Sequence, residues 1–172
     1  EAYASDKQRI FQGQTRDDWS LVNIDNPWGK YFARQTAARL AVLSTKGRLS
    51  HPGAQAYAYY QKGTGFLEWK GRREKIIPSD RLVGGLAGDY ALLFAGSMAV
   101  LGGMPGNWVW EAAGSFAGIE HRMEVCHQEG GVRFINDTAA TIPEAAVMSY
   151  RSLSGPVHWI TGGTDKNLDF SP

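Results

Sequence analysis

Residues 130–166 limit the possible architecture more than any other part of the chain. They read Gly130-Gly131-Val132-Arg133-Phe134-Ile135-Asn136-Asp137-Thr138, then Ala139-Ala140-Thr141-Ile142-Pro143-Glu144, and later Val157-His158-Trp159-Ile160-Thr161-Gly162-Gly163-Thr164-Asp165-Lys166. The pattern predicts a strand, a polar turn, a capped helix, a second strand and a Gly-rich turn. The first strand, 132–135, is apolar apart from Arg133, and Asn136-Asp137 stop it because both residues favour turns. Thr141 has the chemistry of a helix N-cap. Glu144, three residues on, would complete a capping box, and Pro143 suits a first turn. Ala145, Ala146, Met148 and Leu153 give the helix an apolar face. The span 131–163 is long enough for a right-handed βαβ crossover between parallel strands. Asp137, Thr138 and Thr141 would then share one edge with Gly162, Gly163, Thr164 and Lys166. Open α/β sheets bind ligands at such an edge. A helix N-terminus there offers unpaired N–H groups to an anion, and Lys166 adds positive charge. The expected ligand is a carboxylate or a phosphate.

Upstream, the periodicity predicts an α/β arrangement. Residues 3–12 read as a helix, 20–23 as a short buried strand closed by Asp25-Asn26-Pro27, 30–38 as a helix and 40–44 as another apolar strand. Residues 54–61, 65–69 and 74–77 read as a β-meander with turns at Gly63 and Gly71. A mostly apolar helix is expected over 86–101 and a second helix over 107–116. A domain boundary is expected near Gly118, so that 1–118 and 119–172 form two domains.

Composition narrows the function classes. Hydrophobic residues make up 43% of the 172, enough for a sizeable core. Eighteen Lys and Arg against 17 Asp and Glu leave a net charge of +1, which argues for neither nucleic acid nor an anionic membrane. The basic run Lys70, Arg72, Arg73 and Lys75 reads as the solvated edge of a hairpin. Cys126 is the single cysteine, so there is no disulfide framework and no cysteine-based zinc site. The four histidines have no metal-ligand spacing. No apolar run approaches the ~20 residues of a membrane span, and the default expectation is a cytoplasmic protein.

The motif Asn136-Asp137-Thr138-x-Ala140-Thr141, followed by Gly162-Gly163-x-x-Lys166-x-x-Asp169-Phe170, resembles the Mur ligases. Two further segments fit in the same order. Residues 118–125, Gly-Ile-Glu-His-Arg-Met-Glu-Val, resemble the family's junction between central and C-terminal domains. Residues 4–11, with Leu21-Val22-Asn23-Ile24-Asp25, resemble the central domain just after its metal-binding turn. The resemblance implies part of a Mur ligase central ATP-binding domain, a mixed sheet with helices and a β-meander, followed by the first βαβ unit of a Rossmann-like C-terminal domain that binds the amino acid. It also implies that the chain is a fragment: the family's Gly-rich phosphate loop is absent, since Gly29-Lys30 runs into Tyr31.

The resemblance assigns roles position by position. Lys166 would hold a carboxylate of the incoming amino acid, with Thr141 and Thr138 as further substrate contacts. Thr141 would cap its helix as well. Asp137 would lie near the nucleotide's ribose. Arg122, beside His121, would reach the nucleotide from the domain junction, where a guanidinium suits bidentate phosphate contact. Lys7 would be carbamylated by carbon dioxide and so help hold a magnesium ion. That chemistry needs a lysine whose pKa is lowered by burial, because only the neutral amine reacts. Two positions depart from the family. Ala139 stands where a lysine is common. The helix near residue 86 reads Gly85-Leu86-Ala87-Gly88-Asp89-Tyr90-Ala91 and lacks the family's adenine-contacting His-Asn and second Asn.

The function so implied is ATP-dependent amide-bond formation in peptidoglycan precursor synthesis. ATP phosphorylates the carboxylate of UDP-N-acetylmuramoyl-L-alanine, and the amine of D-glutamate attacks the acyl phosphate. The isolated fragment would be inactive. Two alternatives stay open: another Mur-type or folylpolyglutamate-type ligase, and a non-catalytic nucleotide-binding or interaction module.

Overall fold

The protein is described by a computed structural model, in which residues 2–79 and 85–164 are described. The chain divides into two compact units. One comprises 1–81 with 90–116, the other 82–89 with 117–172.

The first unit is built on a five-stranded sheet in the order β1 (Trp19–Asn23), β2 (Arg39–Ser44), β3 (Ala54–Gln61), β4 (Thr64–Trp69), β5 (Arg72–Ile77). β1, β2 and β3 run parallel, whereas β3, β4 and β5 form an antiparallel meander. Central parallel strands are covered on both faces and read as continuous apolar runs. β2, Arg-Leu-Ala-Val-Leu-Ser, is buried from Leu40 to its end. Its residues alternate between two cores. Ala41 and Leu43 join Leu21, Ala58, Leu67 and Ile76 on one face, while Leu40 and Val42 join Val22, Ile24 and Ala33 on the other. Burying each large aliphatic side chain is worth about 1.5–3 kcal/mol.

The helices cover these faces. α1 (Ala2–Gln8) continues as a 3-10 turn, Arg9–Phe11, and Phe11 packs beside Phe32 at 5.6 Å between ring centres. α2 (Pro27–Ala33) crosses from β1 to β2, so a βαβ unit lies here. This helix starts three residues before the expected 30–38. Asn26 caps it by accepting from Gly29 N at 2.8 Å, and Pro27 occupies its first turn. Gly29 is obligatory, because a Cβ there would sit 1.5 Å from the Asn23 carbonyl oxygen. α3 (Gly85–Leu101) buries Leu93, Ser97 and Val100 completely or nearly so, and α4 (Gly106–Ser115) buries Val109 and Ala113. The strands and helices expected from sequence appear within a few residues.

Between residues 117 and 164 the second unit contains a two-stranded hairpin, β6 (Glu124–Glu129) and β7 (Val132–Asn136), and a helix, α5 (Pro143–Ser152). Among the described residues, three hairpins share one turn chemistry. Lys62-Gly63, Lys70-Gly71 and Gly130-Gly131 all take positive φ at both positions, the requirement of a two-residue type I′ loop.

Two expectations fail in this unit. Residues 157–160 form no strand, and Ile160 is 96% exposed, so the expected Rossmann βαβ over 131–163 is not formed. β7 pairs with β6 instead, antiparallel. An apolar run becomes a strand only against a partner edge, and 157–160 has none among the described residues. Thr141 does not cap α5 either. The capping position is Ile142, in extended geometry and without a side-chain hydrogen bond. Pro143 explains this: proline presets the first helical φ and forces the residue before it into the extended region.

Candidate functional site

Four of the residues singled out in the sequence lie together where β6 begins and β7 ends. The chain enters through Gly118 at φ 103° and turns at 119–123, with Ile119 bridged to Arg122. His121 and Met123 both adopt left-handed backbone, φ 64° and 51°. For residues other than glycine this costs on the order of 1–3 kcal/mol each. The loop keeps its shape because hydrogen bonds of about 0.5–1.5 kcal/mol each offset the cost.

Those bonds come from two directions. From β6, Glu124 Oε2 accepts from His121 N at 2.8 Å, with His121 Nδ1 3.6 Å away. From the end of β7, Asp137 Oδ1 accepts from Met123 N at 3.0 Å, and Ala139 N donates to His121 O at 2.9 Å. Asn136 Nδ2 lies 2.9 Å from His121 Nδ1, while Asn136 Oδ1 accepts from Thr138 N at 3.2 Å. Asn136, Asp137, His121 and Met123 are thereby one interlocked set. Arg122 projects from its middle. It is exposed, and among the described residues its guanidinium makes no ion pair or hydrogen bond. A cation on a braced backbone, beside a carboxylate and a hydroxyl, suits an anionic ligand that also carries hydroxyls.

His121, Arg122, Asp137 and Thr138 therefore lie together, although the sequence pattern groups Asp137 and Thr138 with Thr141 and Lys166 instead. Thr141 is exposed and lies past the turn, three residues beyond Thr138. Lys166 lies outside the described residues. Lys7 belongs to the first unit. It is exposed on α1, beside the Asp6–Arg9 ion pair at 3.7 Å, so it lacks the burial that carbamylation was expected to require. Among the described residues no group of three His, Cys, Asp or Glu is gathered for a metal. A carbamate on Lys7 would supply one donor, and magnesium takes about six. The described residues alone do not fit the ion. Sequence reasoning passed over Asn136 and Glu124. Asn136 looked like a strand terminator, and Glu124 lay inside a strand. Its spacing of three residues after His121 was the available signal.

Two other polar clusters lie in the first unit. Where β1 and β2 end, Asp25 accepts from Ser44 Oγ at 2.6 Å, Thr45 N at 2.8 Å and Thr45 Oγ1 at 3.0 Å. Its acceptor sites are taken up by the fold. On the meander, Glu68 accepts from Tyr59 Oη and from Arg48 Nε, both at 2.5 Å, with Arg73 3.8 Å away. Burial works to raise the Glu68 pKa, but the Tyr59 and Arg48 hydrogen bonds and the two guanidinium charges outweigh it and hold it below the ordinary value. Arg73 also lies 3.8 Å over the Phe66 ring, and Lys70 4.7 Å over Trp69. Arg73 and Lys70 of the basic run are thus paired within the hairpin face, while Arg72 and Lys75 are exposed.

No protein-family model matches the chain. Curated relatives match it from end to end. One from Symbiobacterium thermophilum is 32% identical across 100% of this chain and 37% of its own length. One from Latilactobacillus sakei is 33% identical across 100% of this chain and 36% of its own. One from a Thermoanaerobacter species is 31% identical across 99% and 37%. The chain belongs to the Mur ligase family, as its motifs suggested. Within that family these relatives all bear one name, UDP-N-acetylmuramoylalanine–D-glutamate ligase. The chain spans little more than a third of their length. No described helix is long and apolar enough to cross a membrane.

Proposed function

We propose that this chain is a segment of an ATP-dependent amide ligase that joins D-glutamate to UDP-N-acetylmuramoyl-L-alanine in peptidoglycan precursor synthesis. The observation that carries the reading is the end-to-end match to ligases of that name, together with the braced loop that gathers His121, Arg122, Asp137 and Thr138. Residues 1–118 would belong to the central ATP-binding domain and 119–172 would open the C-terminal one. In that longer protein, further strands would cover Val132, Phe134 and Ile160, which are half to fully exposed here.

The proposed chemistry is transfer of a phosphoryl group from ATP to the substrate carboxylate, then attack by the amine of D-glutamate. Such reactions are driven mainly by positioning and by neutralising charge on the transferring group. Arg122 would meet the nucleotide's phosphates. Asp137 has one carboxylate oxygen on Met123 N and a second to offer a ribose hydroxyl. Thr138, Thr141 and Lys166 would contact the amino acid. Lys7 stands where the family's carbamylated lysine falls. Magnesium, if held through it, would draw its remaining ligands from residues beyond those described, and it would supply charge neutralisation at the phosphates.

The test is steady-state kinetics of the intact protein with each substrate varied in turn. D-glutamate-dependent phosphate release is expected. Lys166→Ala should weaken use of the amino acid by about 10- to 100-fold, the loss of one charge-assisted contact, and leave ATP nearly unaffected. A defect in ATP alone would remove the amino acid from this edge. A non-catalytic nucleotide-binding or interaction module is the second reading, favoured by Ala139 and by Leu86 to Tyr90 standing in place of the adenine contacts. Phosphate release that is absent under all conditions would select it.

A further inference from the structure

Glu124 and Asn136 are not among the residues to which the Mur ligase resemblance gives a role. Both hold His121, the residue before Arg122. Glu124 takes the His121 amide at 2.8 Å, and Asn136 meets the ring at 2.9 Å. His121 needs holding, because its backbone sits at φ 64° without the freedom of glycine. The same turn is closed from the other side by Asp137 on Met123 N at 3.0 Å. Arg122 lies between two left-handed residues, and each of the two is tied by its own carboxylate. Loss of either tie would let the turn relax to ordinary backbone and carry the root of the Arg122 side chain away with it.

We propose that Glu124 and Asn136 are positioning residues that fix the His121–Met123 turn and so set where Arg122 meets the anionic part of its ligand. The proposal rests on the ligase reading above. Binding energy at a transferring phosphoryl group falls steeply with sub-ångström misplacement. The two residues therefore act through Arg122 and need not touch substrate.

The experiment is a double-mutant cycle in the intact protein, read as kcat/KM for ATP. Glu124→Ala and Asn136→Ala should each lower it about 5- to 50-fold, with Arg122→Ala lower still. Combined with Arg122→Ala, neither should add a further loss, because a positioning residue has nothing left to position. Glu124→Gln, which keeps an acceptor oxygen for the His121 amide, should recover most of the Glu124→Ala loss. Amide hydrogen exchange should show His121 protected in the wild type and unprotected in Glu124→Ala. Multiplicative losses in the cycle, no recovery with glutamine, or an unprotected His121 in the wild type would each overturn the proposal while leaving the ligase reading intact. A wild-type protein that turns over no ATP would remove the ligase reading and this proposal with it.

Discussion

The two units hold their shape by different means. In the first, Leu43, Leu67, Ile76 and Leu93 have no exposed surface at all, and five strands share two cores. In the second, Ser149 is the only buried side chain among the described residues, while Val125, Val132, Phe134 and Trp159 are all half-exposed. A two-stranded hairpin cannot enclose a core by itself. Its order comes from turn chemistry and from the hydrogen bonds linking 119–124 to 136–139. The candidate site residues of the second unit therefore stand on a polar brace.

The sharpest test of this contrast pairs two apolar truncations. Leu43→Ala should cost about 2–5 kcal/mol by chemical denaturation, since it empties a fully buried site. Phe134→Ala, at 51% exposure, should cost under about 1 kcal/mol, because little of its apolar surface is removed from water. Equal costs would show that the second unit has a core of its own.

Two aspartates sharpen the same comparison at smaller amplitude. Asp25 accepts three hydrogen bonds joining the ends of β1 and β2, so Asp25→Ala should cost about 1.5–3 kcal/mol of global stability. Asp137→Ala should barely move the global transition. It should instead free the Met123 amide to exchange, because its bond closes a local turn. A global loss in Asp137→Ala matching that of Asp25→Ala would break the distinction.

The smallest effect concerns pH. The Glu68 pKa is depressed in the folded protein, as described above. A depressed carboxylate contributes stability that is fully present above its unfolded pKa of about 4.3 and is lost as pH falls through the lower folded value. Its side chain is 24% exposed, so the contribution should stay near or below about 1 kcal/mol. Glu68→Gln should flatten that part of the acid limb in denaturation curves taken from pH 6 to pH 3. An unchanged slope would mean that the Arg48 and Arg73 pairs contribute nothing to folding.

Much of the first unit could be read from the chain. Continuous apolar runs place β1 and β2 and alternating runs place β3 to β5 within a few residues, and Lys62-Gly63 and Lys70-Gly71 announce their turns, because strand patterning and turn φ are local properties. The family was legible for the same reason, since Asn136-Asp137 and His121-Arg122 are contiguous motifs. What failed depended on partners. Thr141 looked like a cap until Pro143 fixed the helix start one residue later. Residues 157–160 are apolar enough for a strand but lack an edge to pair with among the described residues. Among the described residues, the βαβ crossover that forms is β1–α2–β2. Tertiary structure alone decided that Asn136 reaches His121, and that Asp25 is occupied by Ser44 and Thr45. Side-chain hydrogen bonds across 15 to 20 residues leave no period in the sequence; they exist only once the backbone has brought both ends within about 3 Å.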